Sequence, residues 1–178
     1  MFKTLQNAWS IPELRKKLIF TVLIMLLYRI GNVIPVPFID VASLSSYFES
    51  VLSETILGLY DAMSGSAFST ATILALGIQP YINASIIIEL LTVAIPALER
   101  MAKEEGEEGK KKIQKITRYT TVGLGLLLGF AYYTMLRNYQ SSGLTIITEQ
   151  GLLPAIVIIL AFTAGSSVVM WMGEQITE

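Results

Sequence analysis

Residues 64–96 read SGSAFSTATILALGIQPYINASIIIELLTVAIP, and the reading of that stretch decides the fold. It is apolar enough to cross a bilayer, yet Gly77 and Pro80 interrupt its middle, and Gln79, Asn83 and Glu89 sit within it. A helix serving only as an anchor needs none of these. Proline lacks an N–H and crowds the carbonyl one turn earlier, so Pro80 predicts a kink or a local opening of the helix. Loosened backbone survives in lipid only where protein buries it or where it lines a watery cavity. The stretch therefore points to a pathway through a membrane.

The rest of the chain fits that setting. Of 178 residues, 53% are hydrophobic and 15% charged, and the mean hydropathy is +0.59. That is too apolar for an ordinary soluble domain, and the apolar residues are clustered. The net charge of −1 says little because the charges are segregated along the chain. The basic residues form no stripe with interleaved aromatics, which argues against nucleic-acid binding. Cysteine and histidine are both absent. Disulfides, thiolate metal sites, most zinc sites and Ser-His catalysis go with them. No catalytic residue, metal ligand or cofactor site is expected, and the chain does not read as an enzyme.

Taken in order, the hydropathy predicts an all-α polytopic membrane protein with four spans. Residues 1–17 form an interfacial N-terminal segment ending in Arg15, Lys16 and Lys17. Span one covers 18–34. Its charge-free core is short, but no small-residue cleavage site follows it, so it reads as a retained helix. Arg29, near its far end, is expected to snorkel to the interface or to pair with an acid of a neighbouring element. Pro35 and Pro37 stop the helix. Residues 35–70 form a loop with no Lys or Arg, in which Leu44, Tyr47, Phe48, Val51 and Leu52 recur at helical spacing. Ile56, Leu57, Leu59, Tyr60 and Met63 suggest a further short helix, ending at Ser64 and Gly65. This piece either lies on the membrane surface or re-enters toward the interior, and its residues alone favour neither.

Span two, interrupted at Pro80, covers 71–95. Ile78, Ile82 and Ile86 recur every four residues, beside a polar strip of Gln79 and Asn83, which suggests a channel-lining face. Glu89 lies nearer the basic end, where snorkelling or an ion pair is expected rather than a proton relay. Residues 96–118 hold the charged run 99–118, with seven basic and five acidic residues, and read as a solvated hairpin. Span three covers 119–136 and carries Gly125 and Gly129 as a GxxxG, with Gly123 adding to a small-residue packing face. A loop, 137–151, leads to span four, 152–172, and a short end, 173–178. Eleven of the 13 basic residues lie before span one or between spans two and three. The positive-inside asymmetry places the N-terminus, the 96–118 loop and, by counting spans, the C-terminal end in the cytoplasm.

Four segments carry a family resemblance: RIGNVIPVPFID at 29–40, ALGIQPYINASIIIELLTV at 75–93, EGEEGKKKIQKITRY at 105–119 and WMGEQITE at 171–178. In order and spacing they resemble SecY, the channel subunit of the bacterial protein-conducting translocon, over the whole chain. A full SecY has ten spans, so the chain resembles the first four, as a fragment, a split subunit or a trimmed chain. The resemblance implies the N-terminal half of a helical channel in the bacterial cytoplasmic membrane. Such a channel passes unfolded secretory polypeptides and releases membrane helices through a lateral gate. It further implies that Ile78 and Ile82 contribute to a central apolar pore ring. The segment of Ile56, Leu57, Leu59, Tyr60, Met63, Ser64 and Gly65 would be a plug beneath the ring, and Asn83 and Ile86 would belong to the lateral gate. Implied partners are SecE and SecG, the motor SecA or a ribosome, the translocating polypeptide with its signal sequence, and the remaining spans.

Isoleucines at a constriction suit that role, since they bind no hydrated ion and exclude water. Half of a secondary transporter with a broken-helix substrate site is the alternative from another class.

Overall fold

The computed structural model describes residues 11–103, 106–140, 145–149 and 151–177. Most of the expected N-terminal interfacial segment lies outside them. The described part is built from helices, and its only β pairing is isolated bridges, Pro35 with Thr72 and Ile39 with Ile147.

Helix α1, Pro12–Gly31, opens with proline at its start and Glu13 in its first turn, both suited to a helix N-terminus. It begins ahead of the expected span (18–34) because nothing in Glu-Leu-Arg-Lys-Lys opposes helix. It ends at Gly31 because Pro35 and Pro37 follow closely. Helix α2, Val41–Tyr47, starts at an Asp40 cap whose Oδ1 accepts from Ala42 N (3.2 Å). The Ser43 hydroxyl donates to the same carboxylate (2.6 Å) and holds its pKa below the usual aspartate value. A π-turn, Phe48–Leu52, continues this helix, and α3, Ile56–Ser64, follows from a Thr55 cap.

The second span differs from expectation in one respect. Helix α4, Gln79–Ala94, begins only at the Gln-Pro pair, so residues 71–78 are not helical. Pro80 sits in the first turn, where its missing N–H costs nothing. The break is therefore a helix start, preceded by turns. At about 1.5 Å per residue, the 16 residues of α4 rise about 24 Å, less than the roughly 30 Å of a bilayer core. Helix α5, Pro96–Lys103, turns away from α4 by 102°.

The charged run, 99–118, is helical over its described residues. After α5, helix α6 runs from Gly106 to Gln140, taking in the second part of the charged run, span three and the start of the following loop. Glu107 and Glu108 stand in its first turn, with the lysines behind them, the order the helix dipole favours. Its 35 residues rise about 52 Å, so several turns extend beyond a bilayer core. Helix α7, Leu152–Thr177, likewise outruns its expected span.

Among the described residues, α6 and α7 are long and apolar enough to cross a membrane, and α4 with α5 makes a third span if the bent pair counts as one. Helix α1 falls outside that group because Glu13, Arg15, Lys16, Lys17 and Arg29 lie within its length. Helices α6 and α7 pack through the GxxxG. A methyl on Gly125 would meet Ser166 Oγ at 3.0 Å, and one on Gly129 would meet the Ile159 carbonyl at 3.2 Å. Gly123 faces open space and is not part of that contact.

Residues 34–40 fasten the two halves of the core. Val36 N donates to Ala71 O (3.0 Å) and Ile73 N to Ile34 O (3.0 Å). On the other side Asp40 N donates to Ile146 O (2.8 Å) and Thr148 N to Phe38 O (3.0 Å). Around this strap lies a core that includes Val36, Leu44, Phe48, Phe68, Ala71, Leu136, Ile146, Ile158 and Phe162.

Candidate functional site

The turns at 65–78 position the site. Gly65 caps α3 in the left-handed region (φ 71°), and the chain then winds through short-range bonds such as Thr72 N to Ala67 O (3.0 Å) and Ala75 N to Thr72 O (2.9 Å). Ala67, Ala71, Leu74, Ala75 and Leu76 are all buried. Irregular backbone is thus wrapped in protein, the condition under which it can lie at membrane depth. Small residues make the wrapping possible. Gly165 of α7 lies so close that a methyl there would overlap the Ile73 carbonyl, and Gly31 of α1 is similarly close to Leu74.

Where the turns meet α4, Ile78 and Ile82 stand 38% and 41% exposed. Both line a small cavity of about 120 Å³ together with Tyr60, Met63 and Ser64 of α3. Ile78 also lines a larger cavity of about 540 Å³ with Met63, Ser64, Gly65, Arg29 and Asn32, closed on one side by Met172 and Ile176 of α7. A methyl on Gly173 would come within 3.3 Å of Ile78 Cδ1, so this glycine is the notch in which Ile78 rests. The expected ring and short-helix residues therefore meet across one apolar space.

The other expected residues divide. Ile56 and Leu59 project from the outer side of α3, 86% and 68% exposed, while Leu57 packs against the core. Asn83 is half-buried and Ile86 is 52% exposed, and neither lines these two cavities. Glu89 is exposed.

The short helix is held from its C-terminal half. Tyr60 Oη donates to Leu76 O (2.9 Å), and the Asp61 carboxylate accepts from Ser69 N (2.7 Å). Asn32 Nδ2 donates to Ser64 O (3.2 Å). An edge-to-face aromatic series runs from Tyr60 through Phe68 and Tyr132 to Phe162, with centroids 5.2, 4.7 and 4.8 Å apart. Tyr132 Oη also donates to Phe68 O (2.6 Å), which ties α6 to the turns.

Sequence reasoning placed Gly165 in a small-residue patch of span four without naming Ile73 as its neighbour. It missed Asn32, Gly173, Tyr132 and the pairing of Arg118 with Glu174. That pair is bidentate, with Nε to Oε1 and Nη2 to Oε2 both 2.9 Å, and the Glu174 side chain is only 5% exposed. A lone acid in the apolar end of α7 was the available signal, but nothing in the sequence names its partner. Arg118→Met strands that carboxylate in a dry place and is expected to cost about 2 kcal/mol, read as a lower thermal midpoint in detergent. Adding Glu174→Met should recover most of the loss.

A family model described as SecY matches residues 72–178. Along its whole length the chain is 43% identical to the protein translocase subunit SecY of Streptomyces griseus and 37% identical to that of Aquifex aeolicus. It is 42% identical to that of Porphyra purpurea over 93% of its length. The chain spans 42% of the length of the first two relatives and 38% of the third.

Proposed function

Since the chain belongs to the SecY family, a family of membrane proteins, we propose that it forms the N-terminal part of a protein-conducting channel. In this reading the complete channel passes unfolded secretory polypeptides across the bacterial cytoplasmic membrane and releases membrane helices sideways. Helices α1, α4, α6 and α7 provide four crossings. Ile78 and Ile82 belong to the apolar constriction, α3 is the plug, and Asn83 and Ile86 lie on the gate side. The basic start of α1 and the 96–118 segment face the cytoplasm. SecE, SecG, the remaining spans, and SecA or a ribosome complete the assembly. The chain carries no enzymatic role of its own.

One observation supports this reading above the rest: two isoleucines at the start of α4 line the same cavity as a short helix too small to span. Apolar walls let an extended chain slide without a preferred stop, and they seal by dewetting when no chain is present. The comparisons lend nothing to the transporter alternative, because the relatives are named as translocase subunits.

Site-specific photocrosslinking tests the proposal. In a complete channel engaged with a stalled secretory chain, a photoreactive side chain at position 82 is expected to give a strong adduct. One at position 90, where Leu90 is 65% exposed, should give none. Equal yields at both positions, or none at 82, would overturn the conducting role.

A further inference from the structure

We infer that Asn32 is the latch that holds the short helix α3 over the constriction, a positioning role distinct from the seal itself. The inference rests on the channel reading above and adds a residue to it.

Asn32 is the C-cap of α1, and its backbone N–H bonds back to Tyr28 O and Ile30 O, so its position is set by the helix end. The frame around it is fixed. Gly31 lies against Leu74, and the strap at 34–36 bonds to Ala71 and Ile73. From this frame Nδ2 reaches Ser64 O at the last turn of α3. The amide orientation follows from that partner, since a carbonyl oxygen accepts and would repel Oδ1. Gly65 is needed here for its left-handed cap conformation and not for space, since a methyl there would stand 3.8 Å from Nδ2, an ordinary contact.

On the other side of the contact, one face of α3 is not packed against this chain. Ile56, Leu59 and Met63 are 86%, 68% and 79% exposed. Besides Asn32, the bonds that tie it to neighbouring structure include Tyr60 to Leu76 and Ser69 to Asp61. Ser69 lies beyond the left-handed turn at Gly65, in the same segment as the helix it holds. The Asn32 contact, by contrast, crosses from a separate membrane helix.

The Asn32 amide is also left incompletely satisfied. Oδ1 is buried and has no hydrogen-bond partner among the described residues. A buried acceptor without a protein partner carries a cost that is relieved when α3 leaves and water reaches the amide freely. The same side chain thus holds the helix through one atom and offsets part of that hold through the other.

The test uses ion leak through the complete, resting channel, with and without residues 56–64. Asn32→Asp keeps the shape, removes the donor and sets an anion against the Ser64 carbonyl. It is expected to raise leak about tenfold in the intact channel, the size of a lost hydrogen bond plus repulsion. In the channel lacking 56–64 the same substitution should add nothing, a result that a merely structural role would not give. If Asn32→Asp fails to insert, Asn32→Ala serves, with a rise of about threefold and the same dependence on 56–64. Unchanged leak in the intact channel, or an equal rise in both backgrounds, overturns the latch. The Ile78→Gly, Ile82→Gly channel is the reference. If it leaks while the Asn32 variants do not, the latch alone fails, and if none leaks, the channel reading fails with it.

Discussion

Replacing Ile78 and Ile82 together by glycine in a complete channel is expected to raise resting ion conductance at least tenfold, equivalent to about 1.4 kcal/mol off the barrier. The two side chains line one cavity with Tyr60, Met63 and Ser64, and Ile78 rests in the notch at Gly173. Each isoleucine contributes apolar surface worth about 1.5–3 kcal/mol when kept from water. Stripping both widens the space and lets it wet, so a hydrophobic seal becomes an aqueous path. The same change should relax the stringency with which signal sequences are accepted, because opening then has less dry surface to disrupt. Planar-bilayer conductance and export of a substrate with a weakened signal sequence measure the two effects. Wild-type values in both would exclude a sealing role for this pair. A milder form, Gly173→Ala, should disturb Ile78 alone and give a smaller leak, since a side chain can give way by a few tenths of an ångström.

The second large effect is structural. Gly165→Ala places a methyl where the Ile73 carbonyl already stands, with the Leu74 N–H next to it. Backbone cannot rotate aside as a side chain does, so α7 must shift away from the turns at 65–78. Overpacking of this kind costs about 1–3 kcal/mol in ordinary cores and more where backbone is the obstacle. We therefore expect about 3 kcal/mol or more, seen as a lowered thermal midpoint in detergent and a reduced yield of folded protein. Gly129→Ala provides the comparison. Its methyl would meet the Ile159 carbonyl at 3.2 Å, a contact that a small helix shift relieves, so the loss should be about 1 kcal/mol. Equal losses at the two sites would mean that the turns are not seated on α7 as described.

Much of this was legible in the sequence, for reasons that differ from place to place. Composition and clustering gave the membrane class. Pro80 marked the broken helix, although proline in a first turn starts a helix more readily than it kinks one, and α4 accordingly begins at Gln79. The every-fourth spacing of Ile78 and Ile82 predicted their shared face, and Ser64-Gly65 predicted the end of α3. The charged run at 99–118 is largely exposed, as its mixed charge suggests, while its helical form follows from a glutamate-then-lysine order that suits a helix start. Contacts distant in sequence were hidden. Nothing near Asn32 announces Ser64, and nothing near Gly165 announces Ile73. Such pairings are set by how helices stack, and a glycine or an asparagine in isolation has many possible uses.

The strap at 34–40 has a mechanical consequence for any widening of the throat. With Ala71 and Ile73 riveted to it on one edge and Phe38 and Asp40 riveted to residues 146–148 on the other, the upper turns cannot slide with α4. Between that strap and α4 stands Gly77, which takes a left-handed conformation (φ 53°) and has nothing within 4 Å of where a methyl would stand. If the throat widens by a movement of α4, the chain therefore has to turn between Ile73 and Gln79, an interval that holds this left-handed glycine one residue before Ile78.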